Sequence, residues 1–329
     1  MTMASPARWL VLVLLAVLAA SGSTPATAQT RVVVATPHAG IWDTLPIYVA
    51  QERGFFKDAG LAVETVVVRG GGENVQAVVS GSVQVVVGSG FFSVLTAFEK
   101  GAPVKVLASE INGLRDLYWY ALGTSPYRKL EDLAGKRLTF STPGSSSHMG
   151  VLGVIAELTA KGHPAPQPLS VGGMPDALTA VKTGQAEAGF AAPPFFLDLI
   201  EKGDLRIVFR GDAIKKYNDV TMRVTFAHAG FVEKNPEATR AFMRALQKAQ
   251  DFMFDQREET AKIWIRRANL KLPESTLGKV YDFYSRESVA FKPIRGIQTT
   301  MEDAIKFKFL KQPFNQAELD RLIDLSHLQ

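Results

Sequence analysis

The sequence of 329 residues contains no cysteine and only five histidines. The absence of cysteine excludes disulfide bonds and the thiol that carries a lipid anchor. The histidines are scattered and no cysteine accompanies them, so we expect neither a metal site nor a metal cofactor. No Ser/His/Asp order and no paired carboxylates stand out as catalytic, and we therefore expect a protein that is not an enzyme.

Long apolar runs are also lacking. The longest lies at the N-terminus, where Arg8 precedes twelve apolar residues from Trp9 to Ala20 and Ala26-Thr27-Ala28 forms a cleavage site. Twelve residues are too few to cross a bilayer comfortably, so the segment reads as a secretory signal peptide covering residues 1–28. Without a lipid anchor, the exported chain is expected to be a free periplasmic protein, cleaved near Ala28.

The chain has no strong excess of charge. Thirty-seven basic and 32 acidic residues give a net charge of +5. No basic stripe interleaved with aromatic residues accompanies it, which argues against a nucleic-acid partner. A small-molecule partner and a monomeric chain are the simpler expectation.

A repeat is the most informative feature that is present. Asn74 to Gly101 and Asp176 to Gly203 both read as helix, glycine turn, strand, tight turn and helix. Two copies predict two similar α/β lobes. Ligands of open α/β sheets bind outside the carboxyl ends of the strands. The turns expected to line the cleft are therefore those with Ser89, Gly90 and Phe91 in one lobe and Ala192, Pro193 and Pro194 in the other.

We expect an α/β fold of two lobes, each a mostly parallel sheet flanked by helices. The predicted division is 29–117 with 227–329 for lobe 1, and 118–226 for lobe 2. The two crossings between the lobes form the hinge, with Tyr118, Trp119 and Tyr120 at the first and the strand Met222 to Ala227 at the second. Arg223 on the return strand is either a charge clamp for a ligand or part of a structural salt bridge between the lobes.

Four ordered motifs resemble those of solute-binding proteins for nitrate, sulfonate and taurine transporters. The first is Leu45 to Phe56 followed by Ala59 to Glu64; the others are Leu130 to Arg137, Gly144 to His148 and Ala180 to Ala188. The resemblance implies a type II periplasmic binding-protein fold that closes on a small solute. It also implies delivery to the permease and ATPase subunits of an ABC importer.

The turn of Gly144, Ser145, Ser146 and Ser147 before His148 is the strongest candidate for ligand contact. A helix start offers unpaired N–H groups and the positive end of a dipole, which suits an oxyanion such as sulfonate or carboxylate. The alternative is that one serine simply caps the helix. Both can hold, because three serines exceed what one cap needs.

Two further loops follow strands and are candidates for the cleft. The loop with Arg69, Gly71, Gly72 and Glu73 permits close backbone approach to a ligand, although it could equally be a flexible turn. After the first strand, His38 and Trp42 offer a hydrogen bond and a stacking surface, and Asp43 could cap the next helix. Core packing is the default for any single aromatic residue.

The sequence leaves three functions open. The first is capture of a small, anionic organic solute such as a sulfonate or carboxylate by hinge closure, without a cofactor. The second is an enzyme of the same fold acting in pyrimidine or thiamine-type metabolism. The third is a ligand-binding input to a sensor, which would close on its solute in the same way.

Overall fold

The computed structural model describes residues 29–68 and 71–328. The predicted signal peptide, Arg69 and Gly70 lie outside these residues. Within them, no helix has both the length and the apolar character needed to cross a membrane.

The strands and helices alternate along most of the described chain. The strands are β1 (Thr30–Thr36), β2 (Leu61–Val67), β3 (Val85–Gly90), β4 (Val104–Asn112), β5 (Tyr118–Leu122), β6 (Arg137–Phe140), β7 (Gln167–Ser170), β8 (Gly189–Ala191), β9 (Leu205–Arg210) and β10 (Thr221–His228). The helices are α1 (Leu45–Glu52), α2 (Phe55–Asp58), α3 (Gly71–Val79), α4 (Phe91–Glu99), α5 (Ser146–Ala160), α6 (Met174–Lys182), α7 (Leu197–Glu201), α8 (Ala229–Lys234), α9 (Pro236–Asp255), α10 (Arg257–Ala268), α11 (Glu274–Gly278), α12 (Ile297–Lys306) and α13 (Gln316–Leu322).

The first sheet has the strand order β2-β1-β3-β10-β4. Its parallel part is built from valine-rich runs, and β1 pairs in parallel register with both β2 and β3. β10 pairs antiparallel with β3 and with β4. A strand buried on both faces needs a continuous apolar run, which the interior residues Val32 to Ala35 of β1 provide.

The second sheet repeats this arrangement. β5 lies between β8 and β9 and is antiparallel to both, while β6 and β7 are parallel. A parallel bridge between Leu138 and Ala188 joins the two parts, so that the order is β7-β6-β8-β5-β9. Each sheet is therefore mostly parallel and contains one antiparallel strand, which is the strand that arrives from the other sheet.

The two crossings between the sheets run side by side. Residues 113–117 lead from β4 to β5, and residues 211–220 lead from β9 to β10. The amide of Gly113 donates to the carbonyl of Val220 at 2.8 Å. The predicted return strand is present as β10, but it lies wholly in the first sheet. Sheet membership thus favours a return boundary before Thr221 instead of at residue 226, and the division into lobes remains a prediction.

The C-terminal helices pack back on the first sheet, as predicted. Phe242 of α9 stacks on Phe56 of α2 with ring centroids 5.3 Å apart. The same segment also reaches the second lobe, because the buried Asp303 of α12 accepts a hydrogen bond from the Tyr217 hydroxyl at 2.8 Å. The sequence Asn235-Pro236 predicts that Asn235 caps α9, but its side-chain amide donates to the carbonyl of Phe231 instead.

Candidate functional site

A cavity of about 50 Å³ lies between the two sheets. Its walls come from the carboxyl ends of strands in both sheets and from the starts of the helices that follow them. The lining residues are Pro37, His38, Ile41, Asn74, Gly88, Ser89, Gly90, Leu117, Ser141, Ser145, Ser146, Ser147, Met174, Phe190, Ala192 and Arg223. The volume holds one or two waters, so the lobes lie closer together in this conformation than they would around an organic solute.

The three serines at the start of α5 have different partners. Ser145 caps the helix, because its hydroxyl oxygen accepts the amide N–H of His148 at 3.1 Å. Ser147 is held by Ser141, whose amide donates to the Ser147 hydroxyl at 3.0 Å. Among the described residues, the Ser146 hydroxyl accepts a hydrogen bond only from the guanidinium of Arg223, at 3.3 Å. The capping alternative therefore holds for Ser145, and Ser146 remains the serine available to a ligand.

Arg223 is buried between two carboxylates. Its guanidinium donates to Asp116, and its Nε lies 2.9 Å from Oδ1 of Asp43 in an ion-pair contact that is off line for a hydrogen bond. The phenol of Tyr284 donates to Asp116 at 3.4 Å. Arg223 of the first sheet also reaches Ser146 at the start of α5 in the second lobe. Arg223 therefore forms salt bridges with Asp43 and Asp116 and a contact between the lobes, and its role as a charge clamp for a ligand remains a prediction.

Burial governs the ionisation of the acidic groups behind the cavity. It raises the pKa of Asp43 to about 6, although the charge of Arg223 opposes the shift. Burial, followed by the charge of Asp43, raises the pKa of Glu110 to about 8. The two neighbouring carboxylates in turn raise the pKa of Arg223 against the effect of its own burial. The positive charge of Arg223 is thus largely compensated before any solute arrives.

Two polar side chains of the wall have no partner among the described residues. Asn74 is fully buried at the start of α3, and neither its amide nitrogen nor its oxygen makes a hydrogen bond. The hydroxyl of Ser89, which is 1 % exposed, is likewise unpaired. Leaving such groups unpaired costs about 1–3 kcal/mol each. A solute that supplies both an acceptor and a donor to Asn74 would recover that cost.

Glycines set how closely the lobes approach each other. A Cβ added to Gly90 of β3 would lie 2.6 Å from the carbonyl oxygen of Gly144, on the other lobe. Gly88 has a φ of +82°, and a Cβ there would lie 2.7 Å from the Cβ of Asp43. The lobes can approach this closely only because Gly90 carries no side chain, whereas Gly88 lets Asp43 pack against β3 within the first lobe.

The structure brings many of the predicted residues together. Those that line the cavity are His38, Ser89, Gly90, Ser145, Ser146, Ser147, Ala192 and Arg223. Asp43 lies directly behind the wall against Arg223. Gly144 lies outside the wall of the cavity, where its turn faces Ser93.

Other predicted residues lie elsewhere. Trp42 stacks on Tyr284 with centroids 4.4 Å apart, inside an aromatic cluster of the first lobe. His148 stacks on Phe140, and its Nδ1 accepts the amide N–H of Gly144. Phe91 is buried at the start of α4, Glu73 is exposed on α3, and Gly71 and Gly72 belong to the same helix. Pro193 and Pro194, joined by a cis peptide bond, follow β8 outside the wall.

The predicted hinge aromatics lie within β5. Tyr118, Trp119 and Tyr120 are fully buried and pair with β8 and β9 on either side. Tyr118 directly follows the first crossing, whereas the other two are internal to the second sheet. Their role as hinge residues remains a prediction.

Several wall residues are absent from the candidates that the sequence indicates, and among them Asn74, Ser141 and Met174 differ most in side-chain chemistry. From its place in the loop that opens a helix, the sequence predicts only a helix cap for Asn74. Its signal is a polar residue on the otherwise apolar face of α3 formed with Val75 and Val78, all three of which are buried. Across the described residues, no group of three or more His, Asp or Glu could hold a metal ion.

A protein-family model described as NMT1/THI5 like matches residues 42–260. The match covers both crossings, the serine turn and Arg223. A search of curated proteins returned no match.

Solved structures similar to this chain share its fold at low sequence identity. The alkanesulfonate-binding protein SsuA from Xanthomonas axonopodis pv. citri, bound to MOPS, is 17% identical with a TM-score of 0.72, covering 90% of this chain and 98% of that one. The aliphatic sulphonate binding protein SsuA from Escherichia coli is 17% identical with a TM-score of 0.70, covering 91% and 99%. The nitrate-binding protein NrtA from Synechocystis PCC 6803 is 17% identical with a TM-score of 0.68, covering 91% and 87%.

Proposed function

Because the chain belongs to the NMT1/THI5-like family, we propose that it is a solute-binding protein that captures a small organic solute between its two lobes. One observation carries the proposal. The cavity at the carboxyl ends of both sheets is lined by the unpaired, buried side chains of Asn74 and Ser89. Solute-binding sites are concave and carry a few such convergent polar groups. The similar structures include periplasmic binding proteins for sulfonates and for nitrate.

The start of α5 argues for an anionic or acceptor-rich group on the solute. Helix N-termini attract oxyanions, and the Ser146 hydroxyl lies beside the first turn. Arg223 contributes less than an isolated arginine would, because Asp43 and Asp116 compensate its charge. A sulfonate or carboxylate oxygen at the serine turn, with a second polar group at Asn74, satisfies both halves of the wall.

The proposed mechanism is hinge closure. Solute enters while the lobes are apart, contacts Asn74 and Ser89 on one lobe and Ser146 on the other, and thereby favours the closed arrangement. We propose that residues 29–117 and 221–329 move against residues 118–220. The closed, monomeric protein then acts in the periplasm, delivers solute to the permease and ATPase of an ABC importer, and performs no chemistry on it.

A thermal-shift screen of residues 29–329 tests the function. The ligands are sulfonates, nitrate, carboxylates, aromatic acids and pyrimidines, and a solute that binds the native state alone raises the melting temperature. We expect one class to produce a saturable rise. A folded protein that responds to none of them and carries no co-purified solute by mass spectrometry would contradict the proposal.

Variants of the wall locate the site. Asn74→Ala and Ser146→Ala are each expected to lower the affinity for the solute found in the screen about tenfold, because one hydrogen-bonded contact contributes about 1 kcal/mol or more to binding. Ser80→Ala, on the exposed end of the segment that contains Asn74, is the control. Calorimetric titration that gives equal affinity for all three variants would place the solute elsewhere.

A further inference from the structure

A second, larger cavity opens beside the inner one. It has a volume of about 730 Å³ and lies between α3 and α4 of the first lobe, the turn before α5 of the second lobe, and the chain that follows α12. We call it the outer groove. Its lining residues are Val75, Gln76, Ser93, Thr96, Ala97, Glu99, Lys100, Pro143, Gly144, Ile305, Lys308, Phe309, Leu310 and Lys311.

The outer groove adjoins the inner cavity at two places along the chain. Asn74 lines the inner cavity and Val75 the groove, and the same holds for Ser145 and Gly144. The close approach of Gly90 to Gly144 separates the two spaces. The groove is thus the outer part of the same interlobe cleft.

The charge around the groove is strongly one-sided. Lys100, Lys308 and Lys311 are exposed at its rim, and none of the three forms a salt bridge within the described part of the chain. The single acidic residue, Glu99, already accepts the backbone amide of Lys311 at 2.7 Å. The rim therefore attracts anions, and the attraction is sensitive to salt.

The groove floor is mostly apolar and contains one unpaired hydroxyl among the described residues, since the other, on Thr96, donates to the carbonyls of Phe92 and Phe309. Val75, Ala97 and Leu310 are buried there, and Phe309 crosses from the C-terminal segment to contact His148 of the second lobe. The hydroxyl of Ser93, a residue that is 9% exposed, faces Gly144 and has no hydrogen-bond partner among the residues that the structure describes. A buried unpaired hydroxyl in an apolar wall is a group that a ligand would satisfy.

We propose that the outer groove binds a small amphipathic anion, with its apolar body over Val75, Ala97 and Leu310 and its charged group among Lys100, Lys308 and Lys311. Pro143 and Gly144 belong to the second lobe and the other walls to the first or to the C-terminal segment. An occupant contacts both lobes and favours the closed arrangement, as the inner solute does. The site goes beyond the proposed function, since it does not require the inner cavity to be filled.

The probe for this site is the fluorescent dye anilinonaphthalene sulfonate, an aromatic body with one anionic group. The wild-type protein is expected to give a saturable rise in fluorescence for one site, weakening as salt is added. The double variant Lys308→Gln with Lys311→Gln is expected to bind the dye with at least fivefold lower affinity. Gln76→Trp, which fills the groove from its exposed rim, is expected to abolish binding.

The matched control replaces two exposed lysines away from the groove, Lys57→Gln with Lys262→Gln. Its dye affinity should stay within twofold of wild type, as should that of Asn74→Ala in the inner cavity. Absence of saturable binding, or equal affinity in the rim, fill and control variants, would overturn the groove site. Neither result would contradict the proposed solute-binding function, which the thermal-shift screen tests separately.

Discussion

Gly88 shows how a single residue shapes the inner cavity. Its φ of +82° is a left-handed conformation, and an added Cβ would lie 2.7 Å from that of Asp43. We predict that Gly88→Ala lowers the free energy of unfolding by about 2–4 kcal/mol, combining backbone strain with overpacking. The midpoint of urea unfolding measures this change.

Gly81→Ala is the matched control for that prediction. Gly81 has a similar φ of +73°, but nothing lies within 4 Å of an added Cβ. Only the backbone cost of about 1 kcal/mol should remain. Equal loss of stability in the two variants would show that the contact with Asp43 is unimportant.

Glu110 makes stability depend on pH. Its pKa is raised by burial to about 8 from an ordinary value of 4.5, so the folded state holds a proton that the unfolded state has lost across this range. The free energy of unfolding should therefore fall as pH rises, by up to about 1.4 kcal/mol per pH unit. Asp43 acts in the same direction only up to about pH 6.

Glu110→Gln isolates this effect between pH 6 and pH 8. The variant keeps an acceptor for the Thr225 hydroxyl but cannot ionise. We predict that its unfolding midpoint in urea is much less dependent on pH than that of the wild type. Glu64→Gln, at an exposed pair with Arg31, should retain the wild-type slope. A wild-type midpoint that is constant over this range would contradict the raised pKa.

At the residue scale the sequence predicted cleft positions better than side-chain roles. Strand ends and the repeat indicated Ser89, Gly90 and Ala192, which line the inner cavity because the carboxyl ends of parallel strands share one edge. The same two turns also indicated Phe91, Pro193 and Pro194, which lie outside its wall. Trp42 could not be assigned from sequence, since its partners Tyr284 and Trp264 lie more than 200 residues away along the chain.

Among the elements, α5 is positioned against the second sheet by a glycine. An added Cβ at Gly150 would lie 2.3 Å from the ring of Trp119. Replacing a glycine inside a helix with alanine normally raises the free energy of unfolding by about 1 kcal/mol. We predict instead that Gly150→Ala lowers the free energy of unfolding by about 1–3 kcal/mol, because the extra carbon overpacks the interface between the helix and the sheet.

Gly278 provides the comparison for Gly150. It lies at the end of α11 with helical backbone angles, and nothing stands within 4 Å of an added Cβ. Gly278→Ala should therefore be neutral or stabilising in the same urea measurement. If Gly150→Ala also proved stabilising, the close packing of α5 on Trp119 would be wrong.

Local sequence signals predict where strands and helices begin and end, but they do not predict which strands pair. The β-branched run predicts a strand from Arg31 to Thr36, and Gly54 predicts the end of a helix from Leu45 to Arg53; the observed β1 and α1 agree within a residue. The antiparallel position of β10 between β3 and β4 depends on pairs more than 100 residues apart, for which the sequence carries no local signal.

The whole molecule closes through contacts that cross between the lobes. The backbone of Gly90 approaches that of Gly144 closely. Arg223 donates a hydrogen bond to Ser146, and Tyr217 donates one to Asp303. The repeat and the two crossings predicted the two-lobed architecture. The closed arrangement could not be predicted, because it depends on backbone approach at Gly90 and Gly144.

Gly90→Val tests the closure of the lobes most directly. The backbone angles of Gly90, with φ of −59° and ψ of 127°, are accessible to any residue, so the change obstructs closure without straining β3. We predict that the solute found in the thermal-shift screen reduces the radius of gyration of the wild type in solution scattering. The variant should stay expanded and bind at least tenfold more weakly. A variant that binds the solute as tightly as the wild type and contracts to the same radius would contradict capture between the lobes.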